Sequence, residues 1–172
     1  MILLALPWFQ HVDPAAALDA ELRASNSATA VLQKRCDQPI RAQVSRDGKT
    51  PVLAAGDRAR LRVGPGERLA YRYVRLVCGD KLLSRATNWY VPSRLTPEMN
   101  AALEGGDTPF GVVIRPLGPT RTTFAVETAR RSPALRHTGT VLVHHAIVLD
   151  RAGRPLAEVE ESYTSGMLPA RK

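Results

Sequence analysis

The chain has few of the residues that cross-link small proteins or bind metals. It contains two cysteines, Cys36 and Cys78, among 172 residues. Two cysteines form neither a disulfide framework nor a four-ligand zinc site. They could pair with each other in an exported protein, but the sequence does not show whether they meet. Gly64-Pro65-Gly66 is a turn signal without a phosphate-loop pattern. We expect no metal and no cofactor.

Aromatic residues and long apolar runs are also scarce. Aromatic residues make up 5% of the chain and hydrophobic residues 44%, so aliphatic side chains must fill most of the core. The length fits one domain, which we assign to residues 1–172. No apolar run reaches the roughly 18 residues that cross a membrane, so we expect no membrane partner. The apolar segment Met1–Pro7 lacks the basic region and cleavage site of a signal peptide. This favours a cytoplasmic protein and leaves export open.

Lysine is scarce although the chain is basic. The formal net charge is +8, and arginine carries most of the positive charge. Such a chain favours anionic partners. A small carboxylate is suitable, because the arginine fork binds carboxylates with two parallel hydrogen bonds. The positive charges are scattered, and no zinc-finger or helix-turn-helix signature accompanies them, so we expect no nucleic-acid partner. A basic surface that binds nucleic acid remains an alternative.

The order of predicted elements indicates an α+β domain. Asp13, Ser27, Thr96 and Thr108 each precede a segment with helical character. Six segments predict strands: 40–46, 69–78, 82–91, 120–128, 141–149 and 155–163. Strands that tight turns join pair antiparallel. We therefore predict an antiparallel β-sheet with helices covering one face.

Two charged residues fall on strand faces that are otherwise apolar. Arg72 shares its face with Val74 and Leu76, and Glu161 in the last strand shares its face with Val159. A buried unpaired charge costs several kcal/mol, so each charge must be paired or serve a ligand. One interpretation is a buried Arg72–Glu161 ion pair, or two strand ends that reach water. The other is a pocket in which the arginine receives a carboxylate and the glutamate handles a hydroxyl or a proton.

Other polar residues give weaker signals. His144 and His145 are adjacent in a predicted strand, so they point to opposite faces and cannot bind one metal there. We expect them to be partly buried polar residues. Ser84, Thr87 and Ser162 have no histidine and acid at a suitable spacing, which argues against a hydrolase triad.

From about Ser27 to Leu168 the sequence resembles the chorismate lyase family. The resemblance rests on the order and spacing of short motifs: Arg68-Leu-Ala-Tyr-Arg-Tyr-Val-Arg-Leu76, Val91-Pro92, Thr108-Pro-Phe-Gly111, Gly153-Arg-Pro-Leu156 and Glu161-Ser-Tyr163. Proteins of this family remove pyruvate from chorismate and leave 4-hydroxybenzoate, an early step towards ubiquinone. The resemblance implies an antiparallel sheet with helical flaps over a buried pocket. The ligand-sensing domains of some transcriptional regulators share that fold.

The resemblance also implies roles for four residues. Arg72 would hold the ring carboxylate. Glu161 would meet the ring hydroxyl and act in proton transfer, with Glu160 as the alternative one residue away. Ala28 and Phe110 would contact the substrate through main-chain N–H groups at helix starts. The chemistry needs no metal or cofactor, because the protein has mainly to bind, orient and exclude water.

Two functions are consistent with these observations. The first is a chorismate lyase-like enzyme that eliminates pyruvate from chorismate. The second is a non-catalytic domain of the same fold that binds an aromatic acid; we find no DNA-binding segment, so it would need a separate partner. In either case we expect a monomer whose ligand is a small carboxylate, chorismate or a molecule like 4-hydroxybenzoate.

Overall fold

The described chain is a single antiparallel sheet with helices packed against it. The computed structural model describes residues 13–45, 50–53 and 55–169, so the apolar segment Met1–Pro7 lies outside it. Within the described ranges, no helix is long and apolar enough to cross a membrane. The six-stranded sheet and its helices confirm the predicted α+β class.

Two hairpins and two outer strands form the sheet. The strands are β1 (Arg41–Ser45), β2 (Ala70–Cys78), β3 (Lys81–Tyr90), β4 (Thr120–Thr128), β5 (Thr140–Leu149) and β6 (Pro155–Thr164). Their order across the sheet is β1-β2-β3-β6-β5-β4, and every neighbouring pair is antiparallel. The hairpins β2–β3 and β5–β6 are those that the sequence predicts. Pairing of β3 with β6 joins them and places Ala86 opposite Glu161.

Three of the six α-helices in the described part of the chain start where the sequence offers a capping side chain. The helices are α1 (Pro14–Arg23), α2 (Ala28–Gln33), α3 (Ala55–Arg60), α4 (Pro97–Gly105), α5 (Phe110–Val113) and α6 (Pro133–His137). The side chains of Asp13, Ser27 and Thr96 each accept a hydrogen bond from an N–H group in the first turn. Such bonds satisfy donors that have no partner within the helix.

The inner face of the sheet carries two apolar clusters. One lies under α1 and α2 and includes Leu18, Leu22, Val31, Leu32, Val74, Leu76, Leu83 and Tyr163. The other lies under α4 and α5 and includes Tyr90, Leu103, Phe110, Ile114, Val148 and Val159. Helices thus cover the inner face from both ends of the sheet.

Helix α3 contacts the opposite face of the sheet. The guanidinium of Arg60 donates to Glu158 at 2.7 and 3.0 Å and lies 4.5 Å from the ring centroid of Phe124. Glu158 alternates along β6 with the inward-facing Ala157 and Val159, so its side chain points outward. The basic stretch around α3 therefore forms a short helix on the outer face.

The two cysteines meet. Cys36 and Cys78 form a disulfide, with their Cα atoms 5.7 Å apart. Cys36 follows α2 and Cys78 ends β2, so the bond ties the α2 segment to the sheet. This settles the pairing that the sequence left open.

Candidate binding site

A cavity of about 50 Å³ lies between α2, α5 and the inner face of the sheet. It lies where the two apolar clusters meet, since Val74 and Leu76 of one cluster and Ile114 and Val159 of the other form its walls. Six residues give polar walls: Asn26, Ser27, Thr29, Asn88, Arg121 and Glu161. Apolar walls with a few convergent polar groups are typical of small-molecule sites.

Glu161 is the buried acid of this cavity. It is 9% exposed, whereas its neighbour Glu160 is exposed, so the alternation of β6 turns Glu161 and not Glu160 towards the cavity. Its Oε2 accepts from Arg121 Nη2 at 2.5 Å and from the hydroxyl of Tyr163 at 2.9 Å. Burial, and then the nearby charge of Glu161, raise the pKa of Tyr163 well above its usual value. Tyr163 therefore stays a hydrogen-bond donor to Glu161.

Arg121 on β4 is the partner of Glu161. Its Nη1 donates to Thr123 Oγ1 at 2.8 Å, and its Nη2 also lies 3.3 Å from His144 Nδ1. Burial would lower the pKa of Arg121, but the charge of Glu161, the charge of Tyr163 and the hydrogen bond to Glu161 together outweigh burial and raise it. The Nε of Arg121 is buried and has no hydrogen-bond partner among the described residues.

His144 links Arg121 to helix α1. It is fully buried, and its Nε2 lies 2.8 Å from Asp19 Oδ1. Because a guanidinium can only donate, Nδ1 accepts from Arg121, and Nε2 carries the proton that Asp19 accepts. Burial, together with the charge of Arg121, lowers the pKa of His144. The imidazole is therefore neutral in this arrangement.

Arg72 lies beside the cavity rather than in its wall. It is 3% exposed and stands opposite Asn88, a wall residue, in the β2–β3 pairing. Its Nη2 donates to the carbonyls of Gly106 and Thr108 at 3.0 and 3.1 Å, in the loop between α4 and α5. Burial lowers the pKa of Arg72. Its Nε and Nη1 have no hydrogen-bond partner among the described residues.

Four unpaired buried atoms thus come from three residues of the inner face, of which Arg72 and Asn88 are paired neighbours on β2 and β3 and Arg121 lies on β4. They are Arg72 Nε, Arg72 Nη1, Arg121 Nε and Asn88 Oδ1. Buried polar atoms are nearly always hydrogen-bonded in folded proteins, because leaving one unpaired costs about 1–3 kcal/mol. Arg121 Nε and Asn88 Oδ1 belong to residues of the cavity wall, and the two donors of Arg72 lie beside it. Together they match a ligand that brings an anionic group and a hydrogen-bond donor.

The structure brings together most of the residues that the sequence singles out. Ala28, Phe110 and Glu161 line the cavity, and Arg72 adjoins it through Asn88. Of the two interpretations of these charges, the Arg72–Glu161 ion pair is wrong. Glu161 pairs with Arg121 instead, because β4 approaches β6 across β5 and its arginine reaches the carboxylate.

Sequence reasoning missed Arg121, Asn88 and the buried role of His144. Arg121 lies in the polar run Thr120–Thr123, where no apolar alternation marks an inner face. His144 does alternate with the buried residues Leu142 and Ala146, and that pattern was the available signal.

A cluster of potential metal ligands lies at the disulfide. Cys36, Asp37 and Cys78 bring ligand atoms within 4.8 Å of one another. The two sulfur atoms are bonded to each other, so neither is a thiolate that could bind a metal. This cluster therefore supports the fold rather than a metal centre.

Comparison with known proteins identifies one relative by sequence. The protein y4mC of Sinorhizobium fredii (strain NBRC 101917 / NGR234), described as uncharacterized, is 36% identical over 174 residues, which cover 88% of this chain and 73% of y4mC. The chain belongs to the y4mC family. No protein-family model matches it, so membership of the chorismate lyase family stays a prediction.

Solved structures show the fold of this y4mC-family chain. PhnF from Mycobacterium smegmatis superposes with a TM-score of 0.56 at 14% identity, over 84% of this chain and 66% of PhnF. The separate effector domain of PhnF gives 0.50, over 73% of this chain and 80% of that domain. YydK from Bacillus subtilis, described as a possible transcriptional regulator, gives 0.50 at 16% identity, over 77% of this chain and 62% of YydK. The chain thus spans about two thirds of the PhnF chain and less than two thirds of the YydK chain.

Proposed function

We propose that this chain is a ligand-binding domain that takes up a small organic carboxylate between α2, α5 and the sheet, without converting it. The observation that carries the proposal is the set of unpaired buried N–H groups on Arg72 and Arg121. A carboxylate is the ligand group that guanidinium donors in the wall of an apolar cavity and beside it complement best.

The acceptors of the cavity define the rest of the ligand. Asn88 Oδ1 is unpaired, and the hydrogen bonds of Glu161 converge on Oε2, which leaves Oε1 for a ligand. Both atoms favour a hydrogen-bond donor such as a hydroxyl group. A hydroxylated aromatic acid, with 4-hydroxybenzoate as the simplest probe, carries both required groups on a flat apolar ring.

The pairing of Glu161 supports binding over catalysis. Proton transfer to or from a substrate requires a carboxyl group that can gain and lose a proton. Glu161 instead accepts two hydrogen bonds on one oxygen, from a guanidinium and a buried phenol. These two bonds fix the orientation of the carboxylate, which therefore suits a fixed acceptor.

The size of the cavity adds a conformational requirement. It measures about 50 Å³, less than the roughly 150 Å³ of an engineered cavity that binds benzene. Helices α2 and α5 approach closely at Gly111, where an added Cβ atom would lie 3.3 Å from Thr29 Oγ1. We therefore expect these two short helices to separate when an aromatic acid enters.

A role in regulation is consistent with this proposal. PhnF has a domain of this fold that is called its effector domain. By analogy, the chain would report the bound acid to a partner protein, since fold alone does not assign a function. The scattered charge of the chain favours a protein partner over direct binding of nucleic acid.

Calorimetric titration with 4-hydroxybenzoate tests the proposal. We expect one site in the wild-type protein, and a loss of affinity of about 10-fold to 100-fold in Arg121→Met and Arg72→Met, since each removes a charge-assisted hydrogen bond. The matched control is Arg75→Met, because Arg75 lies on the same strand as Arg72 and is exposed. Equal affinities in all four proteins would contradict an arginine-lined site.

A chorismate lyase is the second candidate. Ala28, Phe110 and Glu161 all line one cavity, and the family resemblance assigns substrate contacts to these three residues. Their position favours this candidate. The decisive assay incubates the wild-type protein with chorismate and measures pyruvate and 4-hydroxybenzoate. Turnover that Glu161→Gln abolishes would establish the lyase and refute the binding proposal.

A further inference from the structure

We propose that Asp19 and His144 are positioning residues, which hold Arg121 so that its free Nε faces the ligand carboxylate. This inference rests on the binding function proposed above and adds the groups that set its selectivity for an anion. Neither residue lines the cavity itself. Both act through Arg121.

The geometry around Arg121 leaves one guanidinium nitrogen, Nε, without any partner among the described residues. Nη1 donates to Thr123 at 2.8 Å, while Nη2 contacts Glu161 at 2.5 Å and His144 at 3.3 Å. These three acceptors lie at the outer end of the guanidinium and fix its plane. Nε is the donor without a partner among the described residues, and Arg121 lines the cavity.

His144 can serve this purpose because Asp19 fixes its tautomer. The 2.8 Å contact between Nε2 and Asp19 Oδ1 places the ring proton on Nε2, which leaves Nδ1 as an acceptor for Arg121. The opposite tautomer would direct an N–H group at a guanidinium. Asp19 also contacts Arg23 at 2.8 Å on the same helix, which orients its carboxylate.

The hydrogen bonds from Asp19 through His144 to Arg121 connect helix α1 to β4 through the core. A purely structural role would be satisfied by any group that fills the space of His144. A positioning role requires an acceptor at Nδ1, and it affects an anionic ligand more than a neutral one. These two roles therefore differ in a measurable way.

The experiment compares 4-hydroxybenzoate with its neutral isostere 4-hydroxybenzamide in three proteins. In His144→Leu we expect affinity for the acid to fall about 10-fold, while affinity for the amide stays within about 2-fold, because one hydrogen bond to Arg121 is lost. In His144→Asn, whose Oδ1 atom can replace Nδ1 as acceptor, the preference for the acid should largely return. Equal losses for acid and amide in His144→Leu would overturn the proposal.

A crystal structure of His144→Leu provides a second test, which needs no ligand. We expect the guanidinium of Arg121 to rotate so that Nε leaves the cavity. An unchanged guanidinium would overturn the positioning role whether or not the wild-type protein binds either probe. If the wild-type protein binds neither probe but the guanidinium rotates, the proposed binding of 4-hydroxybenzoate fails, while the role of His144 in positioning Arg121 stands.

Discussion

Two buried arginines of this protein differ in how their charge is balanced. Arg121 contacts the carboxylate of Glu161, whereas the hydrogen bonds of Arg72 go to the neutral carbonyls of Gly106 and Thr108. Removing one partner of a buried ion pair leaves the other charge uncompensated, which costs about 3–5 kcal/mol. Removing a buried charge that has no ionic partner relieves a cost instead.

The two arginines should therefore respond differently to the same substitution. We expect Arg121→Met to lower the free energy of unfolding by about 3–5 kcal/mol, and Arg72→Met to change it by about 1 kcal/mol or less. Urea unfolding of each variant without ligand measures the difference. The double variant Arg121→Met/Glu161→Leu should recover part of the loss, because no unpaired charge remains. Equal destabilisation by the two methionine variants would contradict this account.

Titration of His144 should make the stability of the folded protein depend on pH. Burial and Arg121 lower its pKa in the folded protein below the ordinary value near 6.5. At a pH between these two values, the unfolded chain binds a proton that the folded chain does not, so stability falls as the pH falls below about 6.5. The groups that face His144 include Arg121, Asp19, Thr123, the edge of the Tyr163 ring and Glu161, which lies opposite it on β6 and acts to raise its pKa.

Unfolding midpoints measured between pH 5 and pH 8 check this prediction. We expect His144→Asn to flatten the acid side of the profile, because asparagine does not titrate. His145→Asn is the matched control, since His145 is half-buried on the other face and contacts Glu127 and Glu160. A profile that only the His145 variant changes would refute the assignment to His144.

The sequence predicts some site residues better than others for a physical reason. Glu161 is found because apolar neighbours mark the inner face of β6, and strand alternation then separates it from Glu160. Alternation fails for Arg121, because β4 contains a bulge at Phe124, between Thr123 and Ala125 in the pairing with β5. One extra residue reverses which positions face the core, so counting back from Val126 places Arg121 on the wrong face.

The stability of helix α2 is linked to ligand binding. Ser27 caps this six-residue helix by accepting from the N–H of Ala30, and Ser27, Ala28 and Thr29 also line the cavity. A helix this short depends on its cap and on packing, because its own hydrogen bonds are few. Loss of the cap should therefore loosen one wall of the cavity.

We expect Ser27→Ala to lower the free energy of unfolding by about 1 kcal/mol. Affinity for 4-hydroxybenzoate should fall by several-fold as well, since the bound state requires an ordered α2. Ser27→Asp should restore stability, because aspartate is an equally good cap. Thermal unfolding and calorimetry of the three proteins provide the comparison. A stable Ser27→Ala variant with wild-type affinity would show that the cap does not shape this wall.

Elements with strong local signals are predicted from the sequence, and those that depend on tertiary packing are not. The strand that becomes β4 and the hairpin partners β5 and β6 match their predicted ranges within one residue at each end. Helix α6 is not predicted, because its five residues carry little apolar pattern between the strands that it joins. The short helix α3 depends on contacts of Arg60 with the outer face of the sheet, which local sequence does not encode.

For the whole molecule, the cavity is a consequence of how the core is divided. The pairing of β3 with β6 brings two hairpins together, and each half of the sheet receives its own pair of helices. Where the two clusters meet, polar residues from β3, β4 and β6 replace apolar ones. The fold thus places charged groups at the boundary between two stable apolar clusters, where a ligand can complete the packing.

The disulfide should stabilise this arrangement as a whole. Cys36 and Cys78 are 42 residues apart in sequence, and a closed loop of that length lowers the entropy of the unfolded chain by an amount equivalent to about 4 kcal/mol. The bond also ties the end of α2 to β2, so its loss should release one wall of the cavity.

We therefore expect reduction to lower both the unfolding midpoint and the affinity for 4-hydroxybenzoate. Thiol titration of unreduced, denatured protein should find no free cysteine, because Cys36 and Cys78 are the two cysteines of the chain. Treatment with a phosphine reductant should shift the wild-type midpoint downward to that of Cys36→Ser/Cys78→Ser, which reductant should not affect. If reduction lowers stability but leaves affinity unchanged, the disulfide constrains the unfolded chain without holding α2 in its binding position.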